Sequence, residues 1–400
     1  MTSATKRLYF DDSRLTTFEA NVVSMSEYLG WPSVVLDRTA FYPEAGGQMA
    51  DRGKLSVDGR DLEVVDVQVS DDLVVHHRVA GDTPLAPGAR ALGAIDRPRR
   101  LEHMALHTAQ HMLSQALLLE AAAPTVSARL GETACTIDLD RPSLREPDVE
   151  RAEALVNDLI DDARTIRAFF PTPQELSGLA LRRAPKVDHD IRVVEVEGFD
   201  VTPCGGTHCS NTSEVGLVQV LGLERYKNKM RLTFVAGRRA RTHLGRDSRS
   251  LSAIARELST SAQELAPTIQ KLRADVGSER SRVTALTRQL GAKWGSELAR
   301  NARARGDTRV VAVIPQGSIE LLRALAAGIT AELDGVAILA GSDADGQPLV
   351  VSRSAGQALD CGALLRDVAG RGGGRGGGRP EHAEGRLPAV ADLHALLAAT

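Results

Sequence analysis

Two short segments constrain this chain more than any other feature: His107-Thr-Ala-Gln-His111 and, about a hundred residues later, Cys204-Gly-Gly-Thr-His208. In each, residues able to ligate a metal stand four positions apart. Together they supply three imidazoles and a thiol, a set that a tetrahedral zinc ion takes. On a helix, His107 and His111 share a face with Cβ atoms about 5–6 Å apart. His103 precedes them by one turn. Three successive turns do not fold around one small ion, so His107 and His111 are the expected ligands, with His103 behind them or at the surface. Between Cys204 and His208 two glycines let the backbone turn so that both side chains converge. Cys209 reads as a small buried residue. Any of these histidines alone would read as structural; two spaced pairs read as a metal site.

Structural zinc sites use four protein ligands and catalytic ones three with an open position. With four available, the sphere expands to admit water or substrate, one ligand is held loosely, or zinc only shapes the pocket. A water so admitted would have its pKa lowered toward roughly 7.

Around these segments the hydrophobic period changes several times. Residues 1–95 carry short β-branched runs, such as Leu62-Glu-Val-Val-Asp-Val-Gln-Val69, punctuated by Gly and Asp; they suit a small barrel. From Arg97 the period becomes helical to about Glu120, and a second helix follows Pro147. Strands return at 191–196, 215–220 and 230–235, so 96–240 reads as an α/β sandwich holding the metal. Residues 241–303 carry a heptad-like apolar stripe through Leu251, Ile254, Leu258, Leu265, Ile269, Leu272, Val276, Val283, Leu286 and Leu290. Pro267 predicts two helices or a kinked one, forming either a hairpin packed on its own protein or a dimerising coiled coil. Residues 304–400 read as a small α/β unit with a Gly-rich loop at 370–379 and a terminal helix from about Val390 to Ala398. The predicted class is α+β.

Of the chain's 400 residues, 42% are hydrophobic and 25% charged, ordinary for a globular protein. The net charge of −3 excludes a generally basic nucleic-acid binder, while 49 Lys and Arg residues leave room for a local patch. At 3% aromatic content, stacking platforms for bases are not expected to dominate. Four scattered cysteines, Cys135, Cys204, Cys209 and Cys361, do not make a disulfide framework. With no signal-like or spanning apolar run, a cytoplasmic protein is expected.

Five motifs in order make a more specific pattern. Arg38-Thr-Ala-Phe-Tyr-Pro-Glu-Ala-Gly-Gly-Gln48, Asp51-Arg-Gly53, His107-x-x-x-His111, Asp200 before Cys204-Gly-Gly-Thr-His208, and Arg231 before Val235-Ala-Gly237 together resemble the editing domain of alanyl-tRNA synthetases and their freestanding AlaX relatives. Arg7-Leu-Tyr-Phe-Asp-Asp12 and Phe18-Glu-Ala20 fit the freestanding type, and the helical and Gly-rich regions resemble the C-terminal extension of the long form. The resemblance implies a hydrolase that deacylates mischarged tRNA(Ala), chiefly Ser-tRNA(Ala) and also Gly-tRNA(Ala). It implies Zn2+ on His107, His111, Cys204 and His208, and a C-terminal region for tRNA binding and homodimerisation. It also carries the synthetases' nucleotide- and ATP-binding label. The chain departs from the family at Ala45, where a third glycine is usual, and at Met49, where proline is.

Within that reading Gln48 would hold a substrate amine, ribose hydroxyl or water, and Thr39 would meet a serine hydroxyl. Alanine is smaller than serine, so rejecting it requires hydrogen bonding: a buried polar group left unpaired disfavours the wrong ligand. Asp200 would fix an imidazole tautomer, Arg231 would clamp a phosphate, and Arg371, Arg375 and Arg379 would contact tRNA, either diffusely from a disordered run or around a folded loop whose N–H groups cradle anions. The rival readings are a zinc-containing tRNA-binding protein without activity, and threonyl-type editing of Ser-tRNA(Thr). The Gly-Gly-Gln triplet is shared with peptide release factors, without their context.

Overall fold

The computed structural model describes residues 4–81, 84–185, 187–388 and 393–398. Contacts divide the chain into two units, Met1–Leu251 and Ser252–Thr400.

Beside a short parallel pair, Lys6–Arg7 with Arg38–Thr39, the early part of the first unit has six strands, β1 (Thr17–Tyr28), β2 (Trp31–Leu36), β3 (Gly53–Val57), β4 (Arg60–Val69), β5 (Val75–Val79) and β6 (Arg90–Ile95). They close an antiparallel barrel in the order β1-β2-β5-β4-β3-β6. Alternation along β6, with Ala91 and Ile95 buried and Arg90 and Leu92 exposed, shows the inside–outside rule of a barrel wall. Val34, Leu36, Phe41, Leu55, Val57, Val64 and Val67 fill the interior. The predicted small barrel is therefore present, as a closed one.

Helix α1 (Arg97–Ala121) starts where Asp96 accepts a hydrogen bond from the Arg99 amide, with proline in its first turn, and ends at Ala122 in the left-handed region. Strands β7 (Thr125–Leu130) and β8 (Cys135–Leu139), helix α2 (Glu146–Asp161), strands β9 (Ile166–Phe169), β10 (Val193–Val196), β11 (Asp200–Pro203), β12 (Val218–Tyr226) and β13 (Lys229–Ala236) follow. One antiparallel sheet runs β12-β13-β8-β7, another β9-β10-β11. Residues of α1 and α2 share one core with both sheets, from Met104, Met112 and Leu113 to Leu232 and Phe234. Arg100, fully buried on α1, forms an ion pair with the equally buried Asp51 and donates to the carbonyl oxygens of Ser13 and Ala40. This pins the helix to the barrel side of the unit. A buried charge kept so fully paired costs little, whereas losing either partner typically costs about 3–5 kcal/mol.

Helix α3 (Gly237–Glu257) contains the boundary between the units, and α4 (Leu265–Ala304) lies in the second. Two helices form, as Pro267 implies. Pro267 sits in the first turn of α4, where a missing N–H costs nothing. Ile269, Leu272, Val276, Val283, Leu286 and Leu290 are exposed.

The second unit continues with β14 (Arg309–Ile314), α5 (Ile319–Glu332), β15 (Val336–Gly341), β16 (Gln347–Arg353), α6 (Cys361–Arg371), β17 (Arg375–Gly378), β18 (His382–Leu387) and α7 (Leu393–Ala398). Its sheet runs β14-β15-β16-β18-β17, with only the first pair parallel. The start expected for the terminal helix, about Val390, falls outside the described residues. The Gly-rich run is neither a tail nor a cradling loop. Arg371 ends α6, and Arg375–Gly378 is an edge strand of the sheet. A Cβ on Gly376 would lie 2.6 Å from both Gly385 Cα and Leu365 Cδ2, so only glycine fits under α6 there.

Candidate metal centre

Helix α1 and the loop after β11 bring the two segments together. The ligand-type atoms of His107, His111, Cys204 and His208 all lie within 4.8 Å of one another. Cys204 Sγ is 3.5 Å from His107 Nε2 and 3.4 Å from His208 Nε2. A tetrahedral zinc with ordinary Zn–S and Zn–N bonds would set that edge at about 3.6 Å, so the donor set fits the ion.

What makes these nitrogens converge is the fixing of the opposite ones. His107 Nδ1 donates to Gln48 Oε1 at 2.8 Å and His208 Nδ1 faces Thr108 Oγ1 at 3.2 Å, whereas His111 Nδ1, 3.7 Å from Asp200 Oδ2, makes no hydrogen bond among the described residues. Such partners orient a ligating imidazole and set its tautomer. Gln48 is itself held, donating from Nε2 to Thr207 Oγ1 at 2.8 Å and accepting from the Thr207 amide. Gly206 matters by its missing Cβ, which would sit 2.1 Å from His107 Cε1. Burial holds His107 at about 3, with Arg183 and Arg192 adding to the shift, and holds His111 and His208 well below the ordinary imidazole range. All three are therefore neutral, the form that binds metal. Burial pushes the Cys204 thiol up, so that metal binding would release its proton.

The cluster forms part of the wall of a cavity of about 1160 Å3, lined by His107, His111 and Cys204 together with Tyr9, Phe10, Tyr42, Phe170, Arg7, Arg182, Arg183 and Arg192. Arg192 is buried and donates to the carbonyl oxygens of Cys204 and Gly206, holding the ligand loop from behind. Arg183 donates to the Pro203 carbonyl. Sequence reading missed these arginines; their clustering comes from the β9–β10–β11 layer, and only the spacing of Arg182 and Arg183 ahead of the second metal segment hinted at it.

Of the residues expected to act at the site, Gln48, Asp200, Thr39 and Arg231 stand back from the cavity. Gln48 is fully buried and spends its amide on His107 and Thr207, although its neighbours Gly46 and Gly47 do line the cavity. Asp200 lies by His111 and is paired bidentately with Arg182. Thr39 is fully buried; its hydroxyl donates to His77 Nε2 at 2.7 Å and accepts from the Phe41 amide, so it is not presented to a ligand. Arg231 reaches neither the cluster nor the cavity, because Asp138 takes its guanidinium at 2.7 and 3.0 Å and Tyr226 stacks 3.5 Å from it. His103 is buried rather than at the surface, lies outside the metal group, and has no partner for either ring nitrogen among the described residues. Ala45 is harmless: the left-handed backbone falls on Gly46 and Gly47, at φ +60° and +87°.

The surroundings of the site match known proteins. A family profile described as "tRNA synthetases class II (A)" matches residues 9–99, and one described as "Threonyl and Alanyl tRNA synthetase second additional domain" matches 191–233, which include Cys204 and His208. The alanyl-tRNA editing protein AlaX-L of Pyrococcus horikoshii is 27% identical over 390 residues, covering 96% of this chain and 95% of that protein. This chain is a homologue of the alanyl-tRNA editing proteins. It is also 32% identical over 404 residues to the alanine–tRNA ligase of Archaeoglobus fulgidus, covering 98% of this chain and 43% of the ligase. For the ligase of Thermofilum pendens the identity is 34% over 241 residues, or 58% and 26%. The chain thus spans less than half the length of these ligases, while the editing protein is matched almost end to end.

Proposed function

We propose that this protein is an aminoacyl-tRNA deacylase that hydrolyses mischarged tRNA(Ala), removing serine chiefly and glycine as a second substrate. The observation that carries the reading is a four-ligand His/Cys cluster in the wall of an arginine-lined cavity too large for an amino acid alone. The near end-to-end likeness to AlaX-L supports tRNA(Ala) over tRNA(Thr). Zinc is the ion that suits the donors, and when bound it supplies a Lewis-acidic positive charge at the cavity wall.

The chain's own residues do the rest. Gln48 and Thr108 orient His107 and His208, Asp200 stands beside His111, and Arg192 fixes the Cys204–Gly206 loop. Arg182 and Arg183 present positive charge where the acceptor end of a tRNA enters. The clamp expected of Arg231 passes to these cavity arginines, and Thr39, on a short strand paired with Lys6–Arg7, braces His77 of the barrel wall. In the second unit Arg375, on the edge strand, and Arg379, just beyond its end, are both exposed and contact tRNA phosphates. Arg371, ion-paired with Asp367, lies on the helix before them. The exposed α4 stripe pairs with a second copy of the chain, an arrangement that light scattering tests. ATP binding forms no part of the proposal. Among the described residues no helix is long and apolar enough to cross a membrane.

The test is release of amino acid from Ser-tRNA(Ala), Gly-tRNA(Ala) and Ala-tRNA(Ala) by the purified, zinc-loaded protein. Loss of serine and glycine with alanine spared is expected. Survival of all three esters would replace the deacylase by a tRNA-binding protein.

A further inference from the structure

Beside the metal cluster, the cavity holds a feature that ester hydrolysis does not itself require. Arg7 and Arg192 both stand over the Phe10 ring, their guanidinium carbons 5.6 and 5.3 Å from its centroid. Arg7 Nη2 and Arg192 Nε are buried and have no hydrogen-bond partner among the described residues. Arg192 is only 5% exposed. Neither arginine, nor Arg183, forms an ion pair among the described residues, whereas the buried Arg100 and the cavity-lining Arg182 each have a carboxylate. An unpaired buried N–H on a cation is costly, and it is the arrangement expected where an anionic ligand completes the bonding.

Phe10 meets Phe170 edge to face at 5.7 Å, and Phe170 is 48% exposed on the cavity. Four of the chain's thirteen aromatic residues, Tyr9, Phe10, Tyr42 and Phe170, line this one cavity. A free apolar face beside unpaired guanidiniums fits a nucleotide better than an amino acid. The cavity volume also exceeds the roughly 300–1,000 Å3 of pockets that enclose whole drug-sized ligands.

We propose that Arg7 and Arg192 hold the last phosphodiester of an aminoacylated RNA 3′ end, and that Phe170 stacks its terminal base, placing the ester against the metal cluster. This rests on the deacylase reading and adds the subsite that positions the strand. Arg7 is the cleaner probe, because Arg192 also supports the ligand loop.

The experiment measures binding of an uncharged acceptor-stem minihelix ending in CCA, by fluorescence, at several salt concentrations. Wild type, Arg7→Gln, Arg7→Lys and Phe170→Ala are compared, each checked for zinc content and melting temperature. Arg7→Gln should weaken binding about tenfold and reduce the slope of log K against log salt by about 0.7, the value for one phosphate on a single strand. Arg7→Lys should restore most of that slope. Phe170→Ala should weaken binding about tenfold with the slope unchanged. Unaltered affinity and slope in Arg7→Gln would overturn the proposal, as would a wild type that does not bind the minihelix, or equal losses in Arg7→Gln and Arg7→Lys. Hydrolysis is not read, so a wild type that binds normally but deacylates nothing would remove the deacylase reading and leave the strand subsite standing.

Discussion

His77, in the barrel wall, and the trio His107, His111 and His208 are all buried, yet only the trio gathers with a thiol into a group that could hold a metal. The difference lies in the second ring nitrogen. His77 donates from Nδ1 to the Val34 carbonyl at 2.9 Å and accepts at Nε2 from Thr39, so the protein uses both. In the trio, His107 and His208 turn Nδ1 to a protein group and Nε2 to Cys204 Sγ, and His111 offers its ligand atom to the same cluster. Burial keeps both sets neutral, which preserves a hydrogen bond in one case and a metal ligand in the other. Among these four, the imidazole with both nitrogens partnered is structural, and the other three each offer a ligand atom to the cluster; His103, buried and unpartnered at both nitrogens among the described residues, belongs to neither group.

The largest effect that sharpens this contrast is His107→Ala. Metal content, read by mass spectrometry, should fall from about one ion per chain to near zero, and deacylation by about a thousandfold or more. His77→Gln should leave both unchanged within about threefold; a comparable loss there would break the contrast. Next comes Gln48→Ala, which removes the acceptor that orients His107. Metal affinity, measured against a chelator, should drop about 10- to 100-fold. Unchanged affinity would return Gln48 to a direct role on substrate.

Thr39→Val leaves His77 Nε2 unpaired. Unfolding free energy should fall by about 1–3 kcal/mol, with the preference for serine over alanine intact. If that preference vanished while stability held, the hydroxyl would have to reach substrate after all. The smallest effect is on pH dependence. Burial lowers His77 to about 4 in the folded state, against the ordinary 6.5. Below about pH 6.5 the unfolded chain takes up a proton there that the folded chain refuses, so stability falls as pH falls until the folded value is reached. The stability advantage of wild type over His77→Gln should shrink across that window, by up to about 1.4 kcal/mol per pH unit. An advantage independent of pH would mean that His77 is charged in the fold.

Local patterns made much of this legible. The four-residue spacing placed His107 and His111 on one helix face, and β-branched alternation foretold the barrel. Pro267 marked the break between α3 and α4. Contacts between distant residues were not legible: Thr39 meets His77 across 38 positions, and Gln48 reaches Thr207 across 159. Motif membership singled out Thr39 and Gln48 but could not say that they face imidazoles rather than a ligand, whereas Asp200 was expected beside an imidazole and lies 3.7 Å from His111. Composition misled in two places. A low average of aromatic residues concealed that Tyr9, Phe10, Tyr42 and Phe170 line one cavity. Glycine is poor in strands, so Arg375–Gly378 read as loop, although the close approach of Gly385 makes glycine the residue that pairs there.

The most direct measurement strips the metal, returns zinc stepwise, and follows hydrolysis of Ser-tRNA(Ala) beside Ala-tRNA(Ala). The account predicts that serine release rises in proportion to zinc and stops rising at one ion per chain, with alanine spared throughout. Full activity in the metal-free protein, or one bound zinc with no hydrolysis of either ester, would contradict it.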